Sequence, residues 1–259
     1  MKVKEIMTTK IISVDKDDSL KRVLDLMKKH DITKIPVLEE KKFFGLVTDN
    51  VIAYKLGSIR KRSVTASRLH ASSVTEKEVH VILPEEEVKN ILKSVGEPGP
   101  TMLPVVVKEK LIGVVTKADL LPLVKSKNQL YSIMQKKVHT VNLDDRVIHA
   151  RRVMITENIA RLPVLQEKKL VGIVSDIEIA LAFASLKKSY SLGKQKHHLD
   201  ELLVKDVMRS PAVWTDPSMS IFNAAQLMLN QNIGALPLVE NEKLVGLVTR
   251  TDLLKTIVL

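Results

Sequence analysis

Four copies of one short pattern dominate this sequence and leave few folds open to it. The segments Ile35-Pro-Val-Leu, Leu103-Pro-Val-Val, Leu162-Pro-Val-Leu and Leu236-Pro-Leu-Val each have a glycine nine residues after the proline, at Gly45, Gly113, Gly172 and Gly246. Each glycine opens a second apolar segment: Gly45-Leu-Val-Thr, Gly113-Val-Val-Thr, Gly172-Ile-Val-Ser and Gly246-Leu-Val-Thr. Three copies begin with a methionine 29 residues before the proline (Met7, Met134, Met208), and the second has Thr75 there. Spacing kept four times over is the mark of one supersecondary unit used four times.

Each unit reads as β-α-β-β-α. A short β-branched run such as Ile11-Ile-Ser-Val14 comes first, followed by apolar residues at helical spacing: Leu20, Val23, Leu24 and Met27 in the first copy, Val88, Ile91, Leu92 and Val95 in the second. Asp15, Asn142 and Asp216 are expected to cap these helices, with Pro217 at a first helical position. Two apolar strands joined by a charged hairpin follow, for example Glu39-Glu-Lys-Lys42, and a second helix starts after the Thr or Ser. A unit of about 55 residues cannot cover one apolar sheet face alone, so the repeats must pair. The expected fold is α/β (α+β), with repeats at 1–56, 70–124, 130–183 and 201–259. The first would pair with the second and the third with the fourth, because the linkers inside those pairs are long and the one between them is short.

Composition narrows the function. Cysteine is absent, which removes disulfides, zinc-thiolate sites and thiol catalysis. Neither a signal-type N-terminus nor an apolar run of roughly 18 residues is present, which suggests a cytoplasmic chain without membrane spans. The histidines are scattered, and no Gly-rich phosphate loop or nucleophile elbow occurs, so neither a metal site nor an enzyme is expected. A net charge of +11 attracts anions of several classes.

The pattern resembles the CBS (cystathionine β-synthase) domain family over nearly the whole chain. The likeness lies in Val204-Lys-Asp-Val-Met208, Leu236-Pro-Leu-Val and Gly246-Leu-Val-Thr-Arg-Thr-Asp252. An array of four resembles the gamma subunit of AMP-activated protein kinase and stand-alone archaeal relatives. The resemblance implies two Bateman modules, each a pair of repeats, that bind adenosine-containing ligands. It implies ribose binding by a Thr or Ser with an Asp three residues on. Thr116 with Asp119, and Thr249 with Asp252, match; Ser175 with Glu178 carries a longer carboxylate; Thr48-Asp-Asn-Val51 has none at that place. The same spacing is also that of a helix capping box, and the two roles are compatible.

Two residues before the prolines stand Lys34, Met102, Arg161 and Ala235. If paired clefts lie side by side, Lys34 would meet the phosphate of the Asp119 site and Arg161 that of the Asp252 site. The base would lie against the first strand of the same repeat, at Val79 and His80 or at Pro211, Ala212 and Val213. The expected protein is a regulator, monomeric or homodimeric, that senses AMP, ADP or ATP and signals to a partner by a change of shape. Rival readings are a nucleic-acid binder using Arg60-Lys-Arg62, Lys125 to Lys127 and Lys187-Lys188, and a binder of S-adenosylmethionine or methylthioadenosine.

Overall fold

A computed structural model describes residues 1–57, 66–95, 102–189 and 198–258. The run Arg60-Lys-Arg62 lies outside them. Each repeat is built on an antiparallel hairpin: β2 (Lys34–Glu39) with β3 (Lys42–Thr48), β5 (Met102–Val107) with β6 (Lys110–Thr116), β8 (Arg161–Gln166) with β9 (Lys169–Ser175), and β10 (Ala235–Glu240) with β11 (Lys243–Thr249). All four hairpins share a bulge next to the glycine partner, between Val37 and Leu38, Val105 and Val106, Val164 and Leu165, and Leu238 and Val239. A short first strand joins each hairpin in parallel. It is β1 (Val14–Asp15) and β7 (Val141–Asn142) in repeats one and three, and a single bridge, Ile82 to Val105 or Thr215 to Leu238, in the others.

The other edge of each sheet is filled by a different repeat. The lead segment of repeat one bridges repeat two (Thr8 to Val114), and β4 (Thr75–Glu76), the lead of repeat two, pairs with β3. The same exchange joins repeats three and four, through Gln135 to Leu247 and Arg209 to Ile173. The methionine–glycine spacing of the sequence has its cause here. An added Cβ on Gly113 would stand 2.6 Å from Met7 Sδ, on Gly172 2.7 Å from Met208 Sδ, and on Gly246 2.9 Å from Met134 Sδ. In repeat one, Thr75 Cγ2 occupies the same place over Gly45. Each glycine is the slot into which the paired repeat's lead residue packs. Charge supports the first exchange: Glu85 bonds Lys2 and Lys4, which hold its carboxyl down at about 2.

Helices make the other two seams. Repeat one supplies α1 (Leu20–His30) and α2 (Asp49–Gly57), repeat two α3 (Val88–Val95) and α4 (Lys117–Leu120), repeat three α5 (Val147–Glu157) and α6 (Asp176–Ser189), and repeat four α7 (Ile221–Asn230) and α8 (Arg250–Leu254). One buried core runs from repeat one to repeat three across α2 and α6, with Ile52, Leu56, Ala180 and Phe183 within it. A second joins repeats two and four across α4 and α8, through Leu120, Leu121, Leu253 and Leu254. The repeats therefore close a ring in the order one, two, four, three.

The helix starts differ from the sequence expectation. Ser19 caps α1 by accepting from Arg22 N, and Ser220 caps α7 by accepting from Asn223 N. Asp15 and Asp216 instead accept from Asp17 N and Ser218 N in tight turns four residues earlier, and Pro217 lies in that turn. Asn142 is in β7, and Arg146 is the N-cap of α5. A short Asp side chain bonds its own backbone two residues on as readily as it caps a helix, so the spacing alone did not separate the two.

Candidate functional site

The Thr-x-x-Asp motifs stand where β6 and β11 give way to α4 and α8. Asp119 Oδ2 accepts from Thr116 N (2.7 Å) and Thr116 Oγ1 (2.7 Å). Asp252 Oδ2 accepts from Thr249 N (2.8 Å) and Thr249 Oγ1 (2.6 Å). Both are capping boxes, which fixes the carboxylates in place. Both carboxylates also meet the exchanged lead segment: Thr8 Oγ1 donates to Asp119 Oδ1 at 2.9 Å, and Gln135 Nε2 lies 3.2 Å from both Asp252 Oδ1 and Asp252 Oδ2. Each donor is a neutral side chain on an exposed residue, of the kind a diol hydroxyl can exchange with.

Repeat three is arranged differently. Glu178 is bonded by Ser175 and takes Arg209 Nε at 2.5 Å, with its side chain only 9% exposed. Arg209 also reaches Asp31 of repeat one at 3.1 Å. Burial opposes this guanidinium's charge, but its bonds to Glu178 and Asp31 raise it overall. An internal cation thus already satisfies the third carboxylate. In repeat one, Thr48 bonds Asn50 and no acid stands at Val51.

Val79 is half-buried against the small apolar cluster of Leu46, Met102 and Val114, and His80 is exposed. Pro211 and Val213 are exposed and Ala212 half-buried, following the Arg209 lead that lies on repeat three. Strand exchange also brings the lead of the paired repeat to each carboxylate, Thr8 to Asp119 and Gln135 to Asp252.

The cations do converge, with more members than Lys34 and Arg161. The residue directly after each motif Thr or Ser, at Asp49, Lys117, Asp176 and Arg250, lies within electrostatic reach of Lys34 or Arg161. Lys117, 6% exposed, is lowered to about 8 by burial and by the charges of Lys34 and Arg161. Arg250 is lowered to about 10 by burial and then by Arg161. Burial lowers Lys34 as well. One cation comes from each repeat, and the charge of Arg161 acts on the other three, while Lys117 Nζ also donates to Thr251 Oγ1 and Arg250 to Ile233 O and Asn232 Oδ1. Arg161 reaches across its pair: a Cβ on Gly234 would stand 2.6 Å from its Nη2. Sequence reasoning passed over Lys117 and Arg250 because a charge at a helix start normally reads as solvated. The available signal was their fixed place beside the motif Thr.

A ring of four paired α/β repeats is the architecture of a tandem array of one small domain. The model of the CBS domain matches residues 3–57, 71–126, 130–185 and 204–259, and the chain belongs to that family. Uncharacterized protein MJ1404 of Methanocaldococcus jannaschii is 26% identical over 98% of this chain, which spans 61% of that protein. The crystal structure of MJ1225 from the same organism, proposed as an archaeal homologue of the gamma subunit of AMPK, superimposes with a TM-score of 0.85 at 19% identity, covering 98% of this chain and 99% of that one. An inosine-5'-monophosphate dehydrogenase of Thermoplasma acidophilum is 30% identical over 51% of this chain but only 24% of its own length, so the likeness to that enzyme is partial. No helix among the described residues is long and apolar enough to cross a membrane.

Proposed function

We propose that this protein is a regulatory adenine-nucleotide sensor with two sites, one at Asp119 and one at Asp252, in modules made of repeats one with two and three with four. The observation that carries this reading is the meeting of Lys34, Lys117, Arg161 and Arg250 at a buried centre next to two carboxylates held by capping. Asp119 Oδ1 and Asp252 Oδ1 would accept the ribose hydroxyls, the charge-assisted kind of bond. The phosphate would relieve the repulsion among the cations. The base would lie against the first strand of the same repeat, at Val79 and His80 or at Pro211, Ala212 and Val213, a reading supported by the packing of Val79 on Met102 and Val114 of repeat two. The fold of MJ1225 supports the arrangement, and the buried cations speak against S-adenosylmethionine, whose tail is positive. Occupancy would act on a partner by favouring one ring geometry, which requires unequal affinity for two shapes.

Calorimetric titration with AMP, ADP, ATP, adenosine and S-adenosylmethionine tests this. AMP should bind clearly more tightly than adenosine, and Arg161→Ala should erase most of that difference. Equal loss of AMP and adenosine binding in Arg161→Ala would refute the phosphate role.

A further inference from the structure

A nucleotide pocket at Asp252 leaves two centre residues without a role. Asp49 and Asp176 open α2 and α6, which pack on each other, and each is only 8% exposed. Lys34 Nζ lies 3.8 Å from Asp49. The Asp176 carboxylate has no hydrogen bond or ion pair among the described residues. It faces Asp49 from α2, Arg151 from α5, Arg161 from β8 and Lys34 from β2. Burying two acids together is costly, and apolar residues would seal a helix seam better. The opposite seam carries Lys117 and Arg250 at the equivalent positions, so the centre is divided into a cationic and a mixed half.

Lys117 Nζ crosses the seam of repeats two and four to Thr251 Oγ1 at 2.5 Å, next to Asp252, whereas the two acids open the helices of the opposite seam, with Lys34 at Asp49. A phosphate chain leaving a ribose at Asp252 meets Lys117 and Arg161 first and the two acids last. We propose that Asp49 and Asp176 limit the number of phosphates the centre accepts, so that a nucleoside monophosphate is preferred to a triphosphate. This rests on the adenylate reading above. A monophosphate ends among the cations; a longer tail carries its extra charge toward buried carboxylates and is repelled.

The test is calorimetry on the full chain, with AMP and ATP free of divalent metal, for the wild type, Asp176→Asn and Asp49→Asn. At about pH 8, Asp176→Asn should tighten ATP binding roughly tenfold, the scale of one unit-charge repulsion at an effective dielectric of about 20. AMP binding should change about twofold or less. Burial, and then Asp49, push the Asp176 carboxyl up to about 7, so the wild type at about pH 6 should approach the variant. Comparing variant with wild type at each pH cancels the protonation of ATP itself. Asp49→Asn gives an independent reading if Asp176→Asn folds poorly. An unchanged ratio of ATP to AMP affinity in both variants, with adenylate binding intact, overturns the proposal alone. Absence of adenylate binding to the wild type overturns both readings.

Discussion

Gly→Ala at four equivalent positions is one chemical change with four different expected costs. At Gly172 the new Cβ would lie 2.7 Å from Met208 Sδ and 2.8 Å from Arg209 O. The Met208 thioether can swing away, but Arg209 O is held at 3.0 Å by Ile173 N in the exchanged ladder. Gly45 is worse placed, with Glu76 O at 2.3 Å, again backbone. Gly246 meets Met134 Sδ at 2.9 Å and backbone only at 3.3 Å, and Gly113 meets only atoms of the Met7 side chain. Overpacking against fixed atoms costs about 1–3 kcal/mol, whereas a movable thioether leaves a cost near the roughly 0.4–1 kcal/mol that Ala gains by restricting the unfolded chain. Gly45→Ala and Gly172→Ala should therefore lower the thermal midpoint by roughly 3–10 °C, and Gly113→Ala and Gly246→Ala by about 2 °C or less. Scanning calorimetry reads all four under one condition. A double-mutant cycle adds the partner: Gly113→Ala should couple to Met7→Ala and not to Met134→Ala. Equal midpoints for all four, or coupling to the wrong methionine, would refute the exchanged packing.

Three more outcomes follow from the same geometry. Asp176 holds its proton more tightly in the folded state than in the unfolded chain, so stability should fall as pH rises from about 4 to about 7 and level off above; Asp176→Asn should remove that slope and stabilise the protein at about pH 8 by up to roughly 4 kcal/mol, measured by urea unfolding. Gly234→Ala should displace the Arg161 guanidinium and weaken AMP binding severalfold while leaving adenosine binding nearly unchanged in calorimetry. Arg209→Ala should leave Glu178 buried without its guanidinium and cost about 1–3 kcal/mol in urea unfolding, and Arg209→Lys should not restore it, because one ammonium cannot replace a fork spanning Glu178 and Asp31.

The repeats, their β-α-β-β-α order and the mixed α/β class were legible because four copies repeat one apolar spacing. The glycine in the second strand of each hairpin was legible as a mark but not as a slot, since nothing in one sequence says that Met7 lies over Gly113 instead of over its own repeat. That same strand exchange hid the neighbours of the carboxylates: nothing in one sequence says that Thr8 approaches Asp119 or that Gln135 approaches Asp252. Asp15 and Asp216 were read as caps because an acid ahead of an apolar helix fits both a cap and a turn. Lys117, Arg250, Asp49 and Asp176 stand at helix starts that look solvated in isolation. Their burial exists only once four repeats share a centre, and local patterning carries no record of that.

The most direct measurement is a crystal structure of the protein grown with AMP in excess. Two molecules should be seen, with ribose hydroxyls on Asp119 Oδ1 and Asp252 Oδ1 and phosphates turned inward to Lys34, Lys117, Arg161 and Arg250. Density that leaves both crevices vacant, or places the nucleotide away from these carboxylates, would contradict the reading.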